Sequence, residues 1–255
     1  MCEENSAGDG SGGAARTLSR RGMLRLSALG GAAALGGGLL RPGMAEAAPR
    51  RRDPITTPRE ALQELMAGNC RFSQAHAQEP HRELRALPNI PEQAPFASVL
   101  GCADSRVPVE LVFDVFVCRS AGNTAASELI ASLEYGAAQL KSKLVMVLGH
   151  SDCGAVKAAI AGAPVPGQIS TLFPAIQPAV ARAGGNLARA TELNVLDQVR
   201  LLASASTVLA PMVANGSIWI VGAVYDVATG VVRLVSCPGV VPPCSAPPAC
   251  PPPPA

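Results

Sequence analysis

Three short apolar runs, Phe96 to Leu100, Val115 to Val117 and Leu144 to Leu148, are separated or followed by segments patterned as helix. That alternation constrains the fold more than any other feature, because strand, helix, strand, helix predicts a parallel sheet joined by right-handed crossovers. Ala125 to Leu140 reads as one helix. Leu187 to Leu209 reads as another, with apolar residues at 193, 196, 199 and 202 after a Gly184-Gly185 break. Thr57-Pro58-Arg59-Glu60 has the form of a helix start, with Thr57 as N-cap and Glu60 completing a capping box. Ala61, Leu62, Leu65 and Met66 would follow on one side. Ile218 to Tyr225 and Val231 to Val235 flank a Thr229-Gly230 turn and predict a hairpin. The expected class is therefore α/β: a mostly parallel four-stranded sheet with an antiparallel edge strand, flanked by helices.

Residues 57–236 suffice for one ordinary catalytic domain with a sizeable core. Aromatic residues make up only 3% of the chain, so small and branched aliphatics must fill that core. A net charge of +2 selects no partner, and no basic stripe with interleaved aromatics suggests nucleic acid. The densest basic run, Arg50-Arg51-Arg52, sits in a Pro-flanked linker spanning 48–56.

Residues 1–47 read as an export signal. Ser19-Arg20-Arg21-Gly22-Met23-Leu24-Arg25 precedes a mildly apolar stretch from Leu26 to Leu40, and Ala45-Glu46-Ala47 offers a small-x-small cleavage site. Paired arginines before a Gly/Ala-rich core resemble a twin-arginine signal, which predicts a periplasmic or extracellular destination and only transient contact with a membrane. The other end, 237–255, is rich in proline and predicts an extended or disordered tail. Cys244 and Cys250 there could pair with each other, pair with Cys237, or stay free.

In open α/β sheets ligands collect at the carboxyl ends of the strands. Cys102 follows the first apolar run, His150 follows the third, and Cys153 comes three residues later as the chain turns toward a helix. Two thiolates and one imidazole form a three-ligand zinc set with one tetrahedral position open, the mark of catalytic rather than structural zinc. One Zn²⁺ per chain is expected.

Cys102-Ala103-Asp104-Ser105-Arg106 and His150-Ser151-Asp152-Cys153-Gly154 have the form C-x-D-x-R and H-x-x-C-G. This pair resembles the signature of the β-class carbonic anhydrases. The likeness extends from about Arg59 to Val235 and takes in Gly68-Asn69-Cys70-Arg71-Phe72, Arg119-Ser120-Ala121-Gly122-Asn123, Ser132-Leu133-Glu134-Tyr135 and Leu148-Gly149-His150. The resemblance implies reversible hydration of carbon dioxide to bicarbonate and a proton by zinc-bound hydroxide. It also implies that Arg106 holds Asp104, which accepts a hydrogen bond from the hydroxide. Gln93 would hydrogen-bond bicarbonate through its amide, and Gly154 would offer a backbone N–H to a substrate oxygen. Family members pair, so a homodimer or larger homo-oligomer is expected.

Cys70 and Cys118 stand at no ligand spacing and are expected to be buried thiols. His76 and His81 are expected on the surface, and Asp152 as an exposed turn carboxylate. One departure from the family pattern concerns the pocket: Phe113-Asp114 runs straight into Val115-Phe116-Val117, where relatives carry a longer Gly-containing turn. Two other activities fit the same motifs, namely hydrolysis of carbonyl sulfide or carbon disulfide on this scaffold, and an inactive zinc-binding homologue whose shortened loop closes the site.

Overall fold

The computed structural model describes residues 54–75, 93–113 and 115–236. Residues 1–47, read above as an export signal, the proline-rich tail, His76, His81 and Asp114 lie outside them.

Helix α1, Pro58–Ser73, begins as its sequence dictates. The Thr57 side chain accepts the Glu60 N–H while the Glu60 carboxylate accepts the Thr57 N–H, closing the capping box. Ala61 and Leu65 are fully buried beneath it, with Leu62 packed alongside. Five strands follow: β1 Ala97–Cys102, β2 Phe116–Ser120, β3 Leu144–His150, β4 Trp219–Tyr225 and β5 Val232–Ser236. They form one sheet in the order β2-β1-β3-β4-β5, with β1 to β4 parallel and β5 antiparallel to β4. The sheet is of the expected class.

Every residue of β1 and β3 is buried, as central parallel strands covered on both faces require. Alternate side chains feed two separate cores. Val99, Met146, Leu148 and Val221 pack with α1, whereas Leu100, Val145, Val147 and Ile220 pack with helices on the opposite face. Those helices include α3 Ser127–Ala138 and α6 Leu187–Ala205. A Cβ at Gly149 would stand 2.6 Å from Val195 Cγ2, and one at Gly222 would stand 2.7 Å from Val195 Cγ1. Glycine at both positions lets α6 lie directly on β3 and β4 with Val195 wedged between them.

The shortened β1–β2 connection is accommodated. Helix α2, Val109–Val112, is a single turn of four residues, and Phe113 is buried in the α1-side core. A parallel crossover needs about a dozen residues, so 103–115 sits near the minimum and β1 still pairs with β2 from Ser98↔Phe116 to Cys102↔Ser120.

Three differences from the sequence expectation have local causes. The long C-terminal helix divides at Ser206, whose backbone is extended and whose hydroxyl accepts the N–H of Leu209 while donating to Glu134. A separate helix α7, Leu209–Ala214, then starts. The chain from Gly167 to Ala183, a 3-10 segment followed by helix α5 Phe173–Ala183, was not anticipated, since Pro174 and Pro178 argue against helix in sequence yet Pro174 sits in its first turn. Finally, Cys70 is not a free thiol but is disulfide-bonded and only partly buried. Cys102, Cys118 and Cys153 are free.

Candidate metal centre

Cys102 and His150 are not merely near strand ends; they are the last residues of β1 and β3. These strands are direct neighbours, with Gly101 opposite Leu148, so their final side chains emerge together. Ser151 and Asp152 then reverse the chain. Asp152 adopts a left-handed φ of 61°, and the turn is tied to the end of β4 by the Ser151 N–H on Tyr225 O and the Val227 N–H on Ser151 Oγ. Cys153 is thereby returned to the site as the N-cap residue of helix α4, Gly154–Ala161.

The three ligand atoms lie within 4.8 Å of one another, with the two sulfurs 4.0 Å apart. Cys102 and Cys153 are buried, and His150 is fully so. Its Nδ1 lies 2.9 Å from Ser151 O; a carbonyl only accepts, so Nδ1 bears the hydrogen and Nε2 presents a lone pair. That Nε2 is buried and has no hydrogen-bond partner. An orphaned imidazole nitrogen facing two thiols is costly in an empty protein interior and suited to a borderline-soft divalent ion, so the residues fit zinc.

The two thiols share their protons unequally. Cys102 is lowered to about 4, chiefly because Cys153 donates to it, with the nearby His150 ring and the Gly122 N–H at 3.3 Å also favouring the thiolate. Cys153 is raised for the reciprocal reason, although the N–H groups of Val156 and Ala155 at the start of α4 favour its thiolate. For His150, burial opposes charge, but the neighbouring Cys102 sulfur, the Ser151 carbonyl and the Asp104 carboxylate favour it, and the net shift is upward.

Arg106 grips Asp104 in bidentate fashion, Nε to Oδ1 at 3.0 Å and Nη2 to Oδ2 at 2.9 Å, while its own N–H reaches Oδ1 at 2.9 Å. The guanidinium holds the Asp104 carboxyl at about 2, so it stays ionised across the working range. Asp104 Oδ2 lies 3.8 Å from His150 Nε2, beside the position an ion would take. The expected dyad is thus assembled against the expected ligands. Gly154 opens α4 with clear space where a Cβ would point. Gln93 lies exposed ahead of β1, and among the described residues no hydrogen bond joins its side chain to the site.

Two participants escaped the sequence reading. Asp152 is exposed in a turn, as expected, but its carboxylate receives Arg106 Nη1 at 3.1 Å and pairs with Lys157, and its carbonyl receives Arg106 Nη2. Arg106 therefore ties the Cys102 loop to the His150-Cys153 turn. Arg119, at the end of β2, donates to three carbonyls of the Cys102 loop: Cys102, Asp104 and Val107, at 3.0, 2.7 and 2.9 Å. An arginine placed among apolar strand residues was the available signal.

Comparison with known proteins agrees with this geometry. The sequence profile of the carbonic anhydrase family matches residues 97–232. The chain is 35% identical over 192 residues to carbonic anhydrase 2 of Mycobacterium tuberculosis, covering 69% of this chain and 92% of that protein. It is 34% identical over 198 residues to a carbonic anhydrase of Mycolicibacterium smegmatis, covering 72% and 96%. Among solved structures, the Coccomyxa β-carbonic anhydrase in complex with acetazolamide superposes with a TM-score of 0.50 at 32% identity, over 56% of this chain and 72% of that one. A tetrameric β-carbonic anhydrase of Sordaria macrospora gives 0.55 at 24% identity over 65% and 91%, a likeness of fold. The residues at the ends of β1 and β3, the sheet that carries them and these relatives agree: the chain belongs to the β-class carbonic anhydrases, a family of enzymes.

Proposed function

We propose that this chain hydrates carbon dioxide reversibly to bicarbonate and a proton, with one zinc ion held by Cys102, His150 and Cys153. The buried, partnerless Nε2 of His150 between two thiols carries the reading. Zinc held there would act as a Lewis acid and make hydroxide available near neutral pH, as in the three-histidine carbonic anhydrases where the water pKa is about 7. The chain's own residues do the rest. Asp104, ionised and fixed by Arg106, is placed to accept a hydrogen bond at the site and would orient the nucleophile that bound zinc supplies toward carbon dioxide. The Gly154 N–H and the Gln93 amide are assigned to the oxygens of the substrate or product, Gln93 on the resemblance alone.

Two thiolates neutralise a dication more fully than three imidazoles do, so the water should be less acidic here and the rate should climb toward alkaline pH. Asp104 contributes nothing to that slope, being ionised well below the range. Metal analysis should return one zinc per chain, and stopped-flow hydration should rise across pH 6 to 9. A rate flat over that span would refute the two-thiolate ligand set; zinc-loaded protein that hydrates nothing would favour the inactive homologue.

We also propose that the enzyme is exported by a twin-arginine route and assembles as a homodimer or larger. The disulfide at Cys70 supports an oxidising destination, and the exposed Tyr135, Leu201 and Val231 support burial against a second copy. Export predicts a mature N-terminus near Ala48, read by mass spectrometry of the secreted protein; an intact N-terminus there would sink the proposal. Light scattering checks the assembly, and a fully active monomer would count against it.

A further inference from the structure

The turn that follows β2 delivers the Gly122 N–H to the sulfur of Cys102 at 3.3 Å. It is poorly able to hold that aim alone. Gly122 and Asn123 occupy the left-handed region in succession, with φ of 75° and 47°, and the Asn123 Nδ2 is buried without an acceptor. Glycine adopts this region freely, but a left-handed Asn123 and an orphaned donor each cost free energy and persist only where the surroundings over-determine them.

The surroundings that do so are two amides on α6. Asn194 and Gln198 are one helical turn apart, both essentially fully buried, in a helix whose apolar face covers the sheet. Asn194 Nδ2 donates to Gly122 O at 2.9 Å, and Gln198 Oε1 accepts the Ala125 N–H at 2.9 Å. Gln198 Nε2 in turn donates to Asn194 Oδ1 at 3.3 Å and to Ala175 O at 3.2 Å. The amides thus hold both ends of the turn, lock each other, and anchor to α5. Buried amides are retained at such a cost only with their partners satisfied, and here two of the four bonds go to the turn while the other two fix the amides that make them.

We propose that Asn194 and Gln198 are positioning residues for the metal centre: through the 121–125 turn they aim the Gly122 N–H at Cys102 Sγ and so set the charge that this thiolate offers a metal. The inference rests on Cys102 being a ligand. Hydrogen bonding to a ligating group from beyond the ligands fixes its orientation and tunes its donor strength, and its loss costs about 10- to 100-fold in metal affinity.

The test uses the full chain loaded with cobalt or zinc. Asn194→Ala should shift the thiolate-to-cobalt charge-transfer band to lower energy, because the sulfur loses a donor. It should also speed transfer of zinc to a chelator about 10-fold. Leu202→Ala, on the same helix and buried in the core away from the site, controls for destabilisation and should leave the band where it is. Asn194→Asp keeps the shape and the acceptor for Gln198 but removes the donated N–H, and should reproduce the alanine shift if the alanine variant fails to fold. A folded variant of either kind with the wild-type band and release rate would overturn the proposal. Failure of both to fold while Leu202→Ala folds would also overturn it, leaving these amides a role in stability alone. Wild-type protein that takes up neither metal would instead defeat the ligand assignment, a distinct outcome.

Discussion

Cys102→Ala should lose tight zinc binding and bring carbon dioxide hydration down to the uncatalysed rate. Loss of a partner behind a ligand already costs about 10- to 100-fold in affinity, so removal of one of the three proposed ligands should exceed about 100-fold. The substitution also dismantles the electrostatics of the pair. Cys153 is raised mainly by its bond to Cys102, so without that neighbour its thiol titrates closer to an ordinary cysteine and two ligands remain with poorly matched geometry. The fold should survive, since Cys102 ends β1 and the pairing from Ala97 to Gly101 does not depend on its side chain. Cys118→Ala supplies the comparison: that thiol is buried and pushed up to about 11 by its apolar surroundings, so its removal should leave metal content and rate intact. Metal analysis, circular dichroism and stopped-flow rates on both variants decide it. A Cys102→Ala protein that retains one zinc and the wild-type rate would overturn the site as described.

Arg106→Ala should lower kcat by at least about 100-fold, within the range for misplacing a proton-handling group, while metal content stays near one per chain. Four hydrogen bonds from this side chain reach Asp104 and Asp152. With them gone, Asp104 is freed only 3.8 Å from His150 Nε2 and would be able to compete with substrate for a metal held there. Arg106→Lys should recover little, because a point charge cannot make the forked contact to Asp104 and also bridge to Asp152. Adding Asp104→Ala to Arg106→Ala should cost little more than Arg106→Ala alone, the non-additivity expected of residues acting as one unit. Full activity in Arg106→Ala would refute the dyad.

What the sequence disclosed was what short-range chemistry determines. Thr57 and Glu60 stand three apart and can cap only one another. The apolar runs Phe96 to Leu100 and Leu144 to Leu148 read as buried strands, and Cys102 and His150, which follow them, had to meet if the strands paired. What it concealed depends on partners far along the chain. Asn194 and Gln198 lie in a helix and read as ordinary polar positions until α6 is laid on the sheet. Ser206 breaks its helix by bonding to Glu134, a residue in another helix. Cys70 stands at no spacing that foretells its bond, because connectivity among several cysteines cannot be deduced from order. Arg119 declares its role only when β2 lies beside β1 and three carbonyls come into its reach.

The placement of Cys102 and His150 on the final residues of adjoining strands also bears on how the molecule comes into being. Neither residue can meet the other until β1 and β3 have paired, a contact between distant parts of the chain of the kind that forms slowly. Uptake of an ion by all three atoms would then be a late event, and would favour the assembled sheet over any partly folded form by mass action. The metal would serve as a latch on finished folding, and the ratio of loaded to total chain would report how much of a preparation has its central strands in register.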